Sequence, residues 1–202
     1  MRLVDETWMQ RALTLARRAE GLTRPNPPVG AVLVKNGRVV GEGYHRKAGG
    51  PHAEIVALRK AGAKARGATL YLTLEPCSTF GRTPPCTDAV LAAGIKRVVV
   101  SVLDPNPKHA GRGLQLLRAR GVPVTQGVCA ADGAALLAPF ATWITTGLPL
   151  VTLKLGMSLD GRMSRLDGLL LTAGIVYYTV WAIRKSRRET ALIKEEYAEG
   201  LE

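Results

Sequence analysis

The sequence predicts an α/β fold in which helices cover both faces of one sheet. Short apolar runs, typical of buried strands, occupy residues 29–34, 69–74 and 97–102. Asn36-Gly37 is a strong hairpin signal, so a further strand over residues 38–44 should return beside the first. Stretches with helical spacing separate the later strands, and strands that alternate with helices build layered α/β sheets.

The first helix is predicted over residues 5–20, because apolar side chains recur there at helical spacing. Asp5 is placed to cap this helix and Gly21 to end it. The proline-rich stretch 23–28 that follows can be neither a helix nor a central strand. A loop this stiff suits the rim of a pocket, where the amide of Asn26 could bind a ligand; a plain surface turn is the alternative.

Three further helices and one more strand complete the predicted order β-β-α-β-α-β-α-β. The helices are expected at 52–63, 86–94 and 113–120, and the strand at 122–126. The first two of these helices begin near strand ends, which is where open α/β sheets place their ligands.

One histidine and two cysteines in this frame carry metal-binding side chains. They are His52 in Pro51-His52-Ala53-Glu54, Cys77 after Glu75-Pro76, and Cys86 after Pro84-Pro85. One imidazole and two thiolates are the ligand set of a catalytic zinc that leaves its fourth position to water. The pattern matches that of zinc deaminases, except that eight residues rather than two separate the cysteines.

The chemistry explains why Glu54 follows the histidine so closely. Replacing a ring amine with oxygen needs a strong nucleophile, and zinc lowers the pKa of its water to about 7. Glu54 would carry that proton to a ring nitrogen and then to the departing ammonia. The alternative is a surface histidine and two small buried cysteines. For each residue alone the two interpretations are about equally good, whereas the three together favour the metal site.

Composition limits the class of protein and its partners. The chain has 202 residues, 47% of them apolar, which is enough for one full domain and part of another. Its 28 basic and 16 acidic residues give a net charge of +12, which favours an anionic partner unless much of the excess only solubilises the surface. A phosphorylated small molecule is expected. Nucleic acid is not, because aromatic residues for base stacking amount to 5%.

The cysteine count and the N-terminus indicate the compartment. Three cysteines, an odd number, and a polar start without a secretory signal favour reduced thiols and a cytoplasmic protein. Cys129 lies far from the metal motif and is predicted to be an inert core residue. Association into a homo-oligomer is left open.

Short motifs between residues 9 and 127 extend the metal pattern. They are Pro25-Asn26-Pro27, Val29-Gly30, Gly41-Glu42-Gly43-Tyr44-His45, Pro51-His52-Ala53-Glu54, Thr73-Leu74-Glu75-Pro76-Cys77, Gly81-Arg82-Thr83-Pro84-Pro85-Cys86 and Asp104-Pro105-Asn106-Pro107. Together they resemble the deaminase domain of the bifunctional riboflavin-biosynthesis deaminase/reductase family. The long gap between the cysteines also belongs to that family, and it separates this chain from cytidine and tRNA-adenosine deaminases.

The resemblance implies a cytidine-deaminase-like fold, a three-layer α/β/α sandwich with a mixed sheet, here followed by a C-terminal helical tail. It implies a zinc ion held by His52, Cys77 and Cys86, with Glu54 as the catalytic proton shuttle. The implied reaction removes the ring amine from the phosphoribosylated diaminopyrimidinone that is made from GTP. The implied substrate-binding residues are Asn26, His45, Ala53, Arg82, Thr83, Asp104 and Asn106, with Arg82 and Thr83 at the phosphate.

Two other functions remain to be weighed against this one. A deaminase of another nucleotide or of a tRNA base would share the chemistry, but the cysteine spacing and residues 81–86 speak against it. A non-catalytic remnant stabilised by zinc would not need the carboxylate of Glu54. One position departs from the family, which often has histidine where Thr79 stands, and this puts a pocket contact in question.

The predicted domain division is 1–147 for the zinc-dependent pyrimidine deaminase, 148–165 for the start of a reductase domain and 166–202 for the tail. Residues 153–162 resemble the first strand and turn of the family's reductase. Only 40 residues follow Arg162, whereas a reductase domain needs roughly 200 more. Neither an NADPH site nor reductase activity is therefore expected.

The tail contains a charge-free apolar stretch, residues 168–183, followed by a basic cluster at 184–188. These 16 apolar residues fall just short of the ~17–20 that span a bilayer, although Tyr177, Tyr178 and Trp181 are typical of a membrane interface. A cytoplasmic basic cluster would put the deaminase outside, away from a metabolic substrate. Membrane contact through 168–188 therefore competes with a helix packed on the domain or a second subunit, and with a fusion or frameshift product.

Overall fold

The structure is a computed structural model that describes residues 2–80, 84–107, 109–152 and 165–199. For residues 2, 165, 186 and 188–199 it describes the backbone alone. The chain divides into two compact units, Met1–Ala141 and Thr142–Glu202.

The first unit contains a five-stranded sheet, the predicted helices and a further helix that the sequence did not predict. The strands are β1 (Gly30–Lys35), β2 (Arg38–Tyr44), β3 (Thr69–Leu74), β4 (Arg97–Val102) and β5 (Val124–Gln126). The helices are α1 (Arg2–Arg17), α2 (Ala53–Ala61), α3 (Cys86–Ala92), α4 (Arg112–Ala119) and α5 (Ala130–Thr146), with a 3₁₀ helix at Gly62–Ala65. Strands β2, β3 and β4 coincide with the predicted ranges.

The sheet is mixed, in the order β2-β1-β3-β4-β5. Strand β1 runs antiparallel to both β2 and β3, whereas β3, β4 and β5 run parallel to one another. Asn36 and Gly37, with φ angles of 51° and 71°, turn the chain between β1 and β2. Positive φ at both central residues is what a type I′ hairpin requires, so the predicted turn is confirmed.

Side chains along the central strands alternate between two hydrophobic cores, as the two-residue period of a strand requires. The core beneath α2, α3 and α4 includes Ala31, Leu33, Leu70, Leu72, Val98, Val100, Leu114 and Leu117. The core beneath α1 and α5 includes Met9, Leu13, Val32, Val34, Tyr71, Val99 and Leu136. Both faces of the sheet are therefore covered, and the predicted three-layer α/β/α sandwich with a mixed sheet is confirmed.

Asp5 lies inside α1, so the predicted cap is wrong. Its buried carboxylate accepts two hydrogen bonds from the Arg97 guanidinium, at 3.0 and 2.8 Å, and one from the Tyr71 hydroxyl at 2.9 Å. The helix also ends earlier than predicted, at Arg17. The chain then continues in tighter turns to Gly21, whose φ is 76°.

Helix α5 is absent from the predicted elements because Gly133 and Pro139 both disfavour a helix. Close packing explains the glycine, since a side chain at Gly133 would collide with Ser101. Cys129 precedes this helix, with a φ of 53°, and its carbonyl accepts hydrogen bonds from the Gly133 amide and the Ser101 hydroxyl. Because Cys129 is only partly buried at the margin of a core, it is not the core residue predicted.

The second unit contains the end of α5 and one long helix, α6 (Arg165–Glu199). The apolar stretch 168–183 and the basic cluster 184–188 of the predicted helical tail fall within α6. Of the predicted start of a reductase domain, residues 153–164 lie outside the described residues. Leu148, Leu150 and Val151, which precede them, are exposed.

Candidate metal centre

The position of His52 is set by the close packing of α2 on β2. Side chains at Gly41 and Gly43 would collide with α2, the second of them with Val56 at 2.6 Å. The helix can therefore lie directly on the strand. His52 is the residue that precedes its first turn, in an extended conformation with φ −67° and ψ 162°. A rigid helix start thus holds the imidazole at the sheet margin.

The two cysteines lie on neighbouring segments that are joined by main-chain hydrogen bonds. Cys77 follows β3, and its carbonyl accepts a hydrogen bond from the Thr87 amide at 3.2 Å. Cys86 is the first residue of α3, and its backbone N–H donates to the Cys77 sulfur at 3.3 Å. This helix start favours a thiolate at position 77.

The structure brings His52, Cys77 and Cys86 together, with their ligand atoms within 4.8 Å of one another. His52 Nδ1 lies 3.2 Å from Cys86 Sγ and 3.7 Å from Cys77 Sγ. A tetrahedral zinc with bonds of about 2.3 Å to sulfur and 2.0 Å to nitrogen would separate these atoms by about 3.6 Å. The three side chains therefore fit a zinc ion, and three protein ligands leave one coordination position open.

The cysteine pair shares a negative charge that favours binding of a cation. A hydrogen bond from the Cys86 thiol lowers the pKa of Cys77 in spite of burial, and His52 lowers it further. The same hydrogen bond to Cys77, together with burial, raises the pKa of Cys86. The hydrogen bond to Cys77 raises the pKa of His52, against the opposing effect of burial. The two sulfurs thus share a proton that a bound cation would displace.

Glu54 is buried beside these ligands, with 3% of its surface exposed. Burial raises the pKa of its carboxyl group to about 7, although the nearby His52 opposes that shift. A carboxyl group with a pKa near neutrality can both accept and release a proton at physiological pH. Glu54 is in the first turn of α2 and is not one of the three clustered ligands, which leaves its carboxylate available for proton transfer.

Asn26 and His45 are also brought to this centre. The His45 ring donates from Nδ1 to the Pro51 carbonyl at 3.1 Å, so its Nε2 can accept a hydrogen bond from the Asn26 amide at 3.0 Å. Burial lowers the pKa of His45 and keeps the ring neutral. The centres of the His45 and His52 rings are 5.4 Å apart, edge to face. Asn26 and His45 therefore adjoin the metal ligands as a fixed pair.

The structure describes some of the remaining predicted substrate-binding residues and not others. Ala53 is fully buried as the first residue of α2, which leaves it only its backbone for any contact. Arg82 and Thr83 lie outside the described residues. Asp104 and Asn106 share a loop after β4, where the Asp104 carboxylate accepts a hydrogen bond from the Asn106 amide at 2.8 Å.

Glu75 organises that loop, a role that the sequence reasoning missed. Its buried carboxylate accepts hydrogen bonds from three backbone amides, those of Asp104 at 3.2 Å, Gly111 at 2.8 Å and Gly113 at 2.8 Å. Two of these amides lie at the N-terminus of α4, where a negative charge is stabilised. The feature of the sequence that could have indicated this role is a glutamate at the end of a buried strand, two residues before a metal ligand.

Thr79 stands close to an imidazole from another part of the chain. His109 Nδ1 lies 3.4 Å from the Thr79 hydroxyl oxygen. Position 79 thus carries no imidazole of its own, but the imidazole of His109 lies beside it, from the loop that precedes α4.

The fold and the site together define a zinc-dependent deaminase of the cytidine-deaminase-like class. A family model described as the cytidine and deoxycytidylate deaminase zinc-binding region matches residues 3–102. The chain is 49% identical, over 145 residues, to the diaminohydroxyphosphoribosylamino-pyrimidine deaminase of Buchnera aphidicola subsp. Schizaphis graminum, and the match covers 99% of that relative. The chain therefore belongs to the diaminohydroxyphosphoribosylamino-pyrimidine deaminase family.

Longer relatives match the same part of the chain. The riboflavin biosynthesis protein RibD of Aquifex aeolicus is 55% identical over 168 residues, which are 83% of this chain and 47% of that protein. The crystal structure of Acinetobacter baumannii RibD, form 1, is 50% identical with a TM-score of 0.76, over 81% of this chain and 46% of that one. The chain thus spans about half the length of these relatives.

Proposed function

We propose that this chain catalyses the hydrolytic deamination of the ring amine of 2,5-diamino-6-ribosylamino-pyrimidinone 5′-phosphate in riboflavin biosynthesis. The observation that carries the proposal is the grouping of His52, Cys77 and Cys86 within 4.8 Å, with the buried carboxyl group of Glu54 beside them. The name of the Buchnera relative, which the chain matches over almost its whole length, supports this substrate.

The side chains divide the work between binding and proton transfer. His52, Cys77 and Cys86 would hold zinc, which when bound supplies a water acidic enough to attack at neutral pH. Glu54 takes a proton from the attacking water, delivers it to the ring nitrogen and then moves a second proton to the departing amine. The reaction consumes one water molecule and releases one ammonia molecule, because the oxygen of the water replaces the amine nitrogen on the ring.

The residues around the centre would hold the rest of the substrate. Asn26 and His45, which are already hydrogen-bonded to each other, would contact the base or the ribose. Arg82 and Thr83 would bind the phosphate, because a guanidinium can grip it through two hydrogen bonds. Asp104 and Asn106 would close the pocket from the loop after β4. The net charge of +12 would draw an anionic substrate toward the protein.

Thiol chemistry suggests where the reaction takes place. Zinc binding requires that Cys77 and Cys86 stay reduced, and both are free thiols in the structure. A reducing compartment such as the cytoplasm meets that requirement. The proposal covers the deaminase reaction alone.

Ammonia release by the purified, zinc-loaded chain tests the proposal. The substrates would be the diaminopyrimidinone ribotide, cytidine, dCMP and a tRNA anticodon stem-loop. We expect release from the ribotide and none above background from the other three. Release from cytidine, dCMP or the stem-loop instead would identify a different deaminase, and release from none, with one zinc per chain, would indicate a non-catalytic zinc domain.

A further inference from the structure

Helix α6 contains a long apolar stretch in which none of the described side chains is buried. Between Leu166 and Lys185 it offers 20 residues with a mean hydropathy of 1.5, and none of the most apolar window is buried. A core helix of a soluble protein would be largely buried, and a signal sequence would lie near the N-terminus. This stretch is exposed and follows the deaminase unit in the chain, so neither explanation fits it.

The exposed apolar side chains are not confined to one side of the helix. Leu169, Leu170 and Leu171 follow one another, and all three are exposed. Because successive residues are turned by about 100° around a helix, these three leucines alone point to most of its circumference. Tyr177 and Tyr178 repeat the pattern two turns later. A helix that docks on one protein surface needs a single apolar stripe, whereas a helix that is apolar all round suits a membrane.

The length and the C-terminal boundary of the stretch also match a bilayer. At about 1.5 Å per residue, 20 helical residues extend about 30 Å, the thickness of the hydrocarbon layer, and the three charged residues among them, Asp167, Arg184 and Lys185, lie at the two ends. Tyr178 and Trp181 pack at 5.8 Å near its C-terminal end, and Lys185 Nζ lies 5.2 Å from the centre of the Trp181 ring. Aromatic rings followed by basic side chains that reach toward water are typical of the membrane–water boundary.

We propose that Leu166–Lys185 spans a lipid bilayer and anchors this chain to a membrane. The inference stands on α6 alone and does not depend on the proposed deaminase reaction. Counted from the charge-free stretch 168–183, three basic residues lie within 15 positions before it, Lys154, Arg162 and Arg165, and five within 15 positions after it, Arg184, Lys185, Arg187, Arg188 and Lys194. This excess favours a cytoplasmic C-terminal end, because orientation follows the basic residues, so the proposal concerns the span itself and not the side on which the deaminase unit lies.

The test uses one substitution that a spanning helix and a soluble helix would tolerate differently. Val176 lies near the middle of the stretch and is 57% exposed, so Val176→Arg removes little packing within the described part of its unit. Val176→Leu, at the same position, is the matched control. The full-length chains would be expressed in bacteria, and the membrane fraction washed with high salt and then with alkaline carbonate. The zinc content of each chain would show that the deaminase unit is folded.

We expect the wild type and Val176→Leu to stay with the membrane through both washes and to dissolve only in detergent. For Val176→Arg we expect the ratio of membrane-bound to soluble chain to fall roughly a hundredfold, because an arginine at the bilayer centre is that costly. Release of the wild type by salt or carbonate would overturn the proposal. A soluble wild-type oligomer that Val176→Arg dissociates would overturn it too, and would identify α6 as a contact between copies of the chain.

Discussion

At the scale of single residues, the candidate centre depends on a carboxyl group that is buried yet not bound to the metal. Glu54 has 3% of its surface exposed, and its burial raises its pKa to about 7. A structural zinc site would need no such group, since its ligands already complete the coordination. A buried carboxyl group that is not a metal ligand is therefore a feature expected of a catalytic centre and not of a structural one.

Replacing that carboxyl group should separate chemistry from metal binding. For Glu54→Gln we expect turnover of the ribotide to fall by about a thousandfold or more, because the amide cannot accept the proton of the attacking water. The zinc content should stay at one ion per chain. The control is Glu42→Gln, which removes a partly exposed carboxylate on β2 that is paired with Arg11 and is not one of the candidate site residues. Measurable turnover by Glu54→Gln at the control's rate would show that another residue moves the proton.

The ion pair of Asp5 with Arg97 links the acid stability of the domain to one residue. Burial favours the neutral form of Asp5, but hydrogen bonds from Arg97 and Tyr71 outweigh that effect and hold its pKa below the usual value. A depressed carboxyl pKa stabilises the fold fully above the unfolded-state value of about 3.9, and this stabilisation is lost as the pH falls through the lower folded-state pKa.

We therefore expect Asp5→Asn to lower the free energy of unfolding by about 2–3 kcal/mol at pH 7, because it leaves the Arg97 charge without its partner. The difference from the wild type should shrink as the pH falls below about 4. Urea unfolding of both chains at a series of pH values, with the same zinc concentration throughout, measures this difference. The exposed Glu20→Gln serves as the control. A difference that persists unchanged in acid would rule out the ion pair as its source.

At the scale of elements, Glu75 joins β3 to the loop and helix that follow β4. Its carboxylate accepts hydrogen bonds from three backbone amides between positions 104 and 113. Glutamine in its place would turn an N–H₂ donor toward at least one of these amide donors. The loop that carries Asp104 and Asn106 would then lose part of its support.

For Glu75→Gln we expect the free energy of unfolding to fall by about 2–3 kcal/mol, because buried amides lose a charged acceptor. We also expect the KM for the ribotide to rise more than kcat falls, since the displaced loop is the part proposed to contact substrate. Urea unfolding and steady-state kinetics measure the two effects. Glu42→Gln, at a surface ion pair, should cost less than about 1 kcal/mol and leave KM unchanged. Equal losses in kcat and kcat/KM, with KM constant, would contradict a positioning role.

The sequence predicted those elements whose signals are local. Strands β2, β3 and β4 could be bounded from apolar runs and one Asn-Gly turn, and the three metal-binding side chains from their spacing and flanking prolines. It could not reveal contacts between distant positions. Asp5 meets Arg97 across 92 positions, and Glu75 meets Gly113 across 38, so neither role is visible in a local pattern. Helix α5 was missed because its packing overrides a glycine and a proline.

At the scale of the whole molecule, the deaminase unit and the tail differ in what supports them. The Buchnera relative is matched over 99% of its length by 145 residues of this chain, which is close to the predicted deaminase domain of residues 1–147. We therefore expect a chain ended after Gly147 to fold, to bind one zinc ion and to deaminate the ribotide with kcat within about threefold of the full chain. Calorimetry and ammonia release measure this.

A shortened chain that unfolds, or that binds zinc but is inactive, would show that the domain needs the residues after 147. Comparing it with the full chain in detergent removes any effect of membrane association on the rate. The outcome is independent of the proposed anchor, because α6 is absent from one chain and solubilised in the other.

The most direct test of the central claim is a zinc titration of the metal-free protein, with ammonia release from the diaminopyrimidinone ribotide as the readout. If His52, Cys77 and Cys86 form the catalytic metal site, activity should rise in proportion to added zinc and stop rising at one ion per chain. Glu54→Gln should bind the same single ion without gaining activity. Ammonia release that persists in the fully chelated wild type, or zinc saturation with no release at all, would contradict the account.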